Sequence, residues 1–286
     1  VGLILSTRPL LSVIRKRPHV VDRPAGGARA DVGCKTLSID DATGAATCVV
    51  RYPAGWKQPE GEYLSTDEEF YVLEGALSIN GITYERDSYA HLPAGYLRKD
   101  AASADGAVLL TFFDGPVDSV AASAPGSMFR ADRLVEKVAV PTADWGNADL
   151  DAMGLRDIST SSRLLSLFTD PDTGEITYLT GVVPFKSESS PERHPVGQEF
   201  YILGGSLAGV GGFMQGGAYC WRPPMVTHGP YGSPTGALII LRSVGGPLTT
   251  ELDPPVSHNY DPDHRPVLPP ELATAGSKPF PPPARY

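Results

Sequence analysis

Along most of the chain, apolar positions come in short runs of four to seven residues, cut by Gly, Pro and Asp. Thr36–Ile39 and Ala46–Tyr52 flank the turn sequence Asp40-Asp-Ala-Thr-Gly44, and Glu69–Leu73 and Ala76–Ile79 flank Glu74-Gly75. Ala107–Phe113 is apolar almost throughout, as in a strand covered on both faces. Runs this short, broken by turn residues every 8–12 positions, predict β-strands of a sandwich or barrel, not helices. The stretch 119–160 carries few strand signals and reads as a connection, with short helices expected at Asp132–Val138 and Asp149–Leu155. After Gly246 the chain is Pro-rich (Pro254-Pro255, Pro269-Pro270, Pro281-Pro-Pro283) and cannot supply central strands.

The pattern occurs twice. Glu68-Glu-Phe-Tyr-Val-Leu-Glu-Gly75 returns as Gln198-Glu-Phe-Tyr-Ile-Leu-Gly-Gly205, an offset of 130 residues that holds without a gap. Upstream, Asp40-Asp-Ala-Thr-Gly44 falls on Asp170-Pro-Asp-Thr-Gly174 and Glu62 on Glu192. Downstream, Leu77, Gly81, Tyr89 and Pro93 fall on Leu207, Gly211, Tyr219 and Pro223. Two copies at this period predict two similar domains rather than a solenoid. The expected divisions are an N-terminal arm (1–30), a first barrel (31–118), the connection (119–160), a second barrel (161–246) and a tail (247–286). The arm carries apolar Leu10, Leu11, Val13 and Ile14 and is expected to add a strand to a sheet edge, with a homodimer as the expected assembly.

Composition narrows the chemistry. The 286 residues carry a formal charge of −9, which speaks against nucleic acid or an anionic membrane as partner. No apolar run is long enough to span a bilayer. Cys34, Cys48 and Cys220 form no zinc-type spacing and read as reduced thiols, so the expected location is cytoplasmic. In the first residues an apolar start precedes the basic Arg15-Lys-Arg17, the reverse of a secretory signal. No Ser-His-Asp order, phosphate-binding loop or dinucleotide fingerprint is present; Gly204-Gly205 and Gly209–Gly212 read as hairpin turns, since no helix follows.

The repeated Glu-Phe-Tyr motif, followed 18 residues after its last Gly by Pro93-Ala-Gly95-Tyr-Leu-Arg98 and by Pro223-Pro-Met225-Val-Thr-His228, resembles the two motifs of the cupin superfamily, in the flavour of the ChrR-type anti-sigma factors. The resemblance covers about residues 35–115 and 165–245. It implies an all-β bicupin of two tandem jelly-roll-like barrels with a few short helices. It also implies ligand positions for a metal ion, which read Glu192, His194, Gln198 and His228 in the second half and Glu62, Leu64, Glu68 and Arg98 in the first.

Imidazole, carboxylate and amide oxygen suit one divalent ion in the second barrel, with Fe expected and Zn, Mn, Ni or Cu as alternatives. On an extended strand, His194 and Gln198 share a face and Glu199 points away. In the first half Leu64 cannot coordinate and Arg98 stays protonated, so Arg98 is expected to pair with Glu62 or Glu68 in a metal-free barrel. Tyr178, Tyr201, Tyr219, Trp221 and Met225 read mainly as core; among them Tyr201 and Trp221, with Glu192, are the candidate catalytic side chains. His91 reads as a strand residue, and His19, His258 and His264 as surface residues. The resemblance leads to a metal-dependent oxygenase of the dioxygenase type acting on a small organic substrate. A non-redox isomerase, decarboxylase or cyclase, and a non-catalytic binding or sensing module, remain as alternatives.

Overall fold

A computed structural model describes residue 29 and residues 31–155, 162–209 and 212–257. The expectations for the N-terminal arm and for His19, His258 and His264 lie outside these residues. The described chain is built of strands, with two single-turn 3-10 segments (Ala131–Arg133 and Val140–Thr142) as its helical elements. It separates into two compact units. The first takes the described residues up to Asn147 together with Leu165–Thr177; the second takes Ala148–Leu164 and those from Tyr178 onward. Among the described residues no helix is long and apolar enough to cross a membrane. All three cysteines are free and buried.

The first unit runs β1 (Gly33–Ile39), β2 (Ala46–Tyr52), β3 (Trp56–Gln58), β4 (Glu62–Leu64), β5 (Glu68–Ile79), β6 (Ile82–Glu85), β7 (Ser88–Leu92), β8 (Ala101–Ser103), β9 (Ala107–Phe113), β10 (Ser119–Ala121) and β11 (Val135–Ala139). Its main sheet has the order β1-β2-β9-β5-β7-β11, with β6 and β8 on the far half of β5, and β10 pairs with β4. Every residue of β9 is buried, as its unbroken apolar run requires.

The second copy of the sequence pattern repeats this plan with β12 (Ser162–Thr169), β13 (Ile176–Val182), β14 (Lys186–Ser187), β15 (Glu192–Arg193), β16 (Gly197–Gly209), β17 (Gly212–Gln215), β18 (Tyr219–Arg222), β19 (Gly232–Ser233), β20 (Ala237–Val244) and β21 (Glu251–Leu252), of which Leu165–Thr177 belong to the first compact unit. The order is β12-β13-β20-β16-β19-β14, with β15 paired to β21. Both barrels are antiparallel and cupin-like, as the sequence predicts.

Three stretches depart from expectation. The two runs around Glu74-Gly75 form one strand, β5, with a register shift between Val72 and Glu74; β16 shifts at the matching place, between Ile202 and Gly204. The following glycines, Gly75 and Gly205, sit at φ 71° and 73°, and a Cβ there would lie 2.0 and 2.1 Å from the carbonyl oxygens of Gly106 and Gly236. A bulge, not a turn, is therefore built at this spot. It switches which side chains face the core: Phe70 and Val72 before it, Leu77 and Ile79 after it. The expected helix at Asp132–Val138 is a 3-10 turn followed by β11, which extends the sheet beside β7. Asp149–Leu155 is a turn in which the Asp149 carboxylate accepts the N–H groups of Asp151 and Ala152; local Asp capping replaces a continued helix.

Arg133 ties elements of the first unit together. Its guanidinium donates to Asp67 Oδ2 from Nε (3.1 Å) and Nη2 (2.7 Å), and to Asp170 from Nη1. Its carbonyl accepts from His91 Nδ1 at 2.7 Å, and the His91 ring stacks on Phe168 at 3.8 Å. Burial works to raise the Asp170 carboxyl, but the N–H groups of Thr173 and Asp172 and the Arg133 charge outweigh it and hold the group below the usual carboxylate range. A depressed carboxylate contributes stability above its unfolded value, near pH 4, and loses it as pH falls through the lower folded value. Arg133→Ala should cost about 1.5–3 kcal/mol at pH 7, the range for hydrogen bonds to a charged group. The cost should shrink toward pH 3. Urea unfolding at the two pH values measures both; an equal loss at both would rule out the ion-pair account.

Candidate metal centre

Two backbone hydrogen bonds set the centre of the second barrel. Glu192 and His228 form an isolated antiparallel bridge, N–H to carbonyl in both directions at 2.8 Å. The loop before His228 is anchored by Met225, whose N–H donates to the His194 carbonyl at 2.7 Å. Met225 holds φ 63° at the place where the first barrel has Gly95 at φ 77°. In the sheet, Gln198 stands directly across from Arg222, as Phe200 stands across from Cys220, so these side chains share the core face. Glu192, His194, Gln198 and Arg222 are all buried.

Ligand atoms of Glu192, His194 and His228 lie within 4.8 Å of one another. His194 Nδ1 faces the Thr249 carbonyl at 3.0 Å and His228 Nδ1 faces the Val226 carbonyl at 2.9 Å. A carbonyl only accepts, so each Nδ1 carries a proton, which leaves Nε2 as the ring atom that faces the site and, in the neutral ring, offers a lone pair there. Burial pushes the His194 imidazole down, against the pull of Glu192. Burial also works to raise the Glu192 carboxyl, but His228, His194 and Arg222 outweigh it and hold the group low. His228 Nε2 lies 3.3 Å from Glu192 Oε1, yet it and Glu192 Oε2 are buried without a hydrogen bond. Three potential metal-ligand atoms thus converge, and His228 Nε2 and Glu192 Oε2 have no hydrogen-bond donor of their own. A cation is what such an arrangement lacks, and the set fits a divalent metal.

Gln198 does not offer its oxygen to this point. Its Oε1 accepts from Arg222 Nη1 at 2.8 Å, and its Nε2 faces His194 Nε2 at 3.2 Å. Arg222 also donates to the Tyr231 hydroxyl and lies over the Phe200 ring, 4.7 Å from its centre. Burial holds the Tyr178 and Tyr231 hydroxyls far above the usual phenol range, so both stay protonated. Tyr201 lies one residue out of step with Gln198 and Phe200, and Trp221 opposite Glu199; both are on the other face of the sheet, where Trp221 packs over Gly197. Of the sequence candidates, the structure gathers Glu192, His194, Gln198 and His228 and sets Tyr201 and Trp221 apart. Arg222 and Tyr231 were missed. Arg222 matches Leu92 in the repeat, and an unmatched charge in a buried strand was the signal that could have found it.

The first barrel repeats the bridge between Glu62 and Arg98, with backbone bonds of 3.0 and 2.8 Å. Here the side chains neutralise each other. Arg98 Nη1 lies 2.7 Å from Glu68 Oε2, and Arg29 donates to Glu62 Oε1 at 3.0 Å and to the Tyr52 hydroxyl at 2.5 Å. Arg29 stands where the sequence reading placed only an N-terminal arm. A second acidic group, Asp67 with His91 and Asp114, also falls within ligand distance. Asp67 is already committed to Arg133 and to the Ala94 N–H, which marks this cluster as an ion-pair site.

Two tandem antiparallel barrels with these paired motifs define a bicupin. The comparisons agree: a family model described as the ChrR cupin-like domain matches residues 148–245. A proposed dioxygenase from Nostoc punctiforme PCC 73102 superposes with TM-score 0.69 at 19% identity, covering 79% of this chain and 78% of that one. Salicylate 1,2-dioxygenase from Pseudaminobacter salicylatoxidans superposes with TM-score 0.54 at 12% identity, covering 73% and 75%. No curated protein sequence matches the chain. Residues 148–245 therefore match that family, and the solved structures share the cupin fold of the chain.

In the first barrel, Arg98→Met leaves Glu68 with Arg29, 3.7 Å away, as its remaining cation. It should destabilise the protein by about 3–5 kcal/mol, the cost of stranding a buried charge. Adding Glu68→Gln should recover part of the loss. A double-mutant cycle by chemical unfolding reads the coupling, and additive effects would disprove the pair's role.

Proposed function

We propose that the second barrel holds one divalent metal ion on Glu192, His194 and His228, and that the protein is an oxygenase acting on a small organic substrate. The supporting observation is the convergence of two imidazoles and one carboxylate within 4.8 Å, with His228 Nε2 and Glu192 Oε2 buried and lacking any hydrogen bond. Two imidazoles and a carboxylate leave coordination positions open and suit Fe(II) above the other divalent ions. When bound, such an ion would supply a Lewis acid and, as iron, redox chemistry with dioxygen.

The chain's own residues have separable tasks. The carbonyls of Thr249 and Val226 fix the tautomers and the ring orientations. Glu192 brings one negative charge. Phe200 and Ile202, both in the core of this barrel, line the inner face of β16 and keep bulk water out. Tyr178 and Tyr231, held protonated, are able to donate a hydrogen bond to a substrate oxygen. Gln198 spaces Arg222 from His194 rather than binding metal.

Elemental analysis of protein purified without chelator should give one metal per chain. His194→Ala and His228→Ala should each lose it, and Gln198→Ala should keep it. The Fe(II) form should bind nitric oxide, a surrogate for dioxygen, with the spin-3/2 resonance of a site with open positions. Two metals per chain, or metal surviving His228→Ala, would refute the ligand assignment. A metal-loaded protein that fails to bind nitric oxide would favour the non-redox Lewis-acid enzyme instead.

A further inference from the structure

Arg222 is a buried cation of the second barrel that the ligand set does not explain. Its side chain is enclosed beside Phe200 and Tyr231, and the residue is 8% exposed. Its hydrogen bonds go to two neutral groups, Gln198 Oε1 and the Tyr231 hydroxyl. Among the described residues no carboxylate forms an ion pair with it. A buried permanent cation that no carboxylate touches directly is costly, and structures keep one where something offsets it. The first barrel shows what compensation looks like: Arg98 lies 2.7 Å from Glu68. The residue matching Glu68 in the repeat is Gln198, the very group that Arg222 touches. With an amide there, no carboxylate touches the guanidinium, and the one whose charge still reaches it is Glu192, a residue of the metal site.

Resting on the metal reading above, we infer that Arg222 is the anchor for a substrate carboxylate, so that this site takes small organic acids rather than neutral molecules. The position suits the task. Gln198 alone separates the guanidinium from His194, through contacts of 2.8 and 3.2 Å. Two of the five guanidinium N–H bonds are spent on Gln198 and Tyr231, which fix the plane of the fork and leave three for a ligand. Charge points the same way. A divalent ion with Glu192 and Arg222 leaves the pocket at +2, and a carboxylate ligand offsets part of it. Tyr231, held by Arg222, places its hydroxyl beside the same anion.

The test uses the Co(II)-loaded protein, whose visible absorption reports the metal and anything bound near it, with acetate as the probe and acetamide as its neutral match. Wild type should bind acetate at least about tenfold more tightly than Arg222→Met does, the fold-change that hydrogen bonds to a charged group carry. Acetamide should bind both equally weakly. Arg222→Lys should retain part of the preference. Gln198→Glu keeps the arginine but gives it a carboxylate, and should lower acetate affinity to a similar degree; it serves if Arg222→Met does not fold. Equal acetate affinity in wild type, Arg222→Met and Gln198→Glu, with Co(II) bound in each, would overturn the inference while leaving the metal site standing. If wild type takes up no Co(II), the metal reading falls. The anchor is then judged by titrating acetate into metal-free protein by calorimetry, where Arg222-dependent binding supports it and its absence overturns it.

Discussion

Each barrel depends on one pair of backbone hydrogen bonds, joining the strand that carries Glu62 or Glu192 to the loop that carries Arg98 or His228. The pair is the same in both copies, at 2.8–3.0 Å, although the side chains it brings together are different. Main-chain geometry therefore decides that the two motifs meet, and side-chain chemistry decides only what happens there. This is why one template holds a salt-bridged, self-neutralised interior in its first copy and a convergence of lone pairs in its second.

The contrast between the interiors is one of electrostatic closure. Arg29, Arg98, Glu62 and Glu68 offset one another in charge inside the first barrel. In the second barrel the exchange of a carboxylate for Gln198 and of an aliphatic side chain for Arg222 leaves His228 Nε2 and Glu192 Oε2 without hydrogen bonds on one side and a cation bonded to neutral groups on the other. Burying unmet groups of both signs in one small space is expensive for a fold. An interior of that kind is a place for ions and ligands rather than for packing.

Much of this was legible in the sequence because it is repeated there. The offset of 130 residues marked the two copies; the parity of Glu192, His194 and Gln198 assumed one extended strand, whereas Glu192 lies in β15 and Gln198 in β16, with His194 in the break between them. The turn Asp40–Gly44 and its copy Asp170–Gly174 close in the same way, with the Asp carboxylate accepting local N–H groups and the Gly N–H bonding the Asp carbonyl. What escaped were features that depend on distance through space. Arg222 stood out only as a charge against Leu92 in the repeat, with partners that the sheet alone supplies, Arg29 comes from a stretch with no match in the repeat, and β11 joins the sheet through an edge that only tertiary packing supplies. Gln198 was expected to coordinate; its amide is instead turned by Arg222, a neighbour across the sheet and 24 residues away in sequence.

The bulge after Val72 and Ile202 has a mechanical consequence for how these barrels tolerate change. Upstream of it, each long strand is pinned on both sides, by β7 and β9 or by β18 and β20, and this is the half that bears the pocket residues. Downstream, the strand belongs to the second curl of the barrel and pairs with β6 and β8, or β17 and β19. The single extra residue acts as a frame-shift between the two halves. A length change in the distal hairpin resets which side chains face inward beyond the bulge and leaves the frame of the pocket half intact. Distal variation is thus felt as stability, and the shape of the pocket is insulated from it.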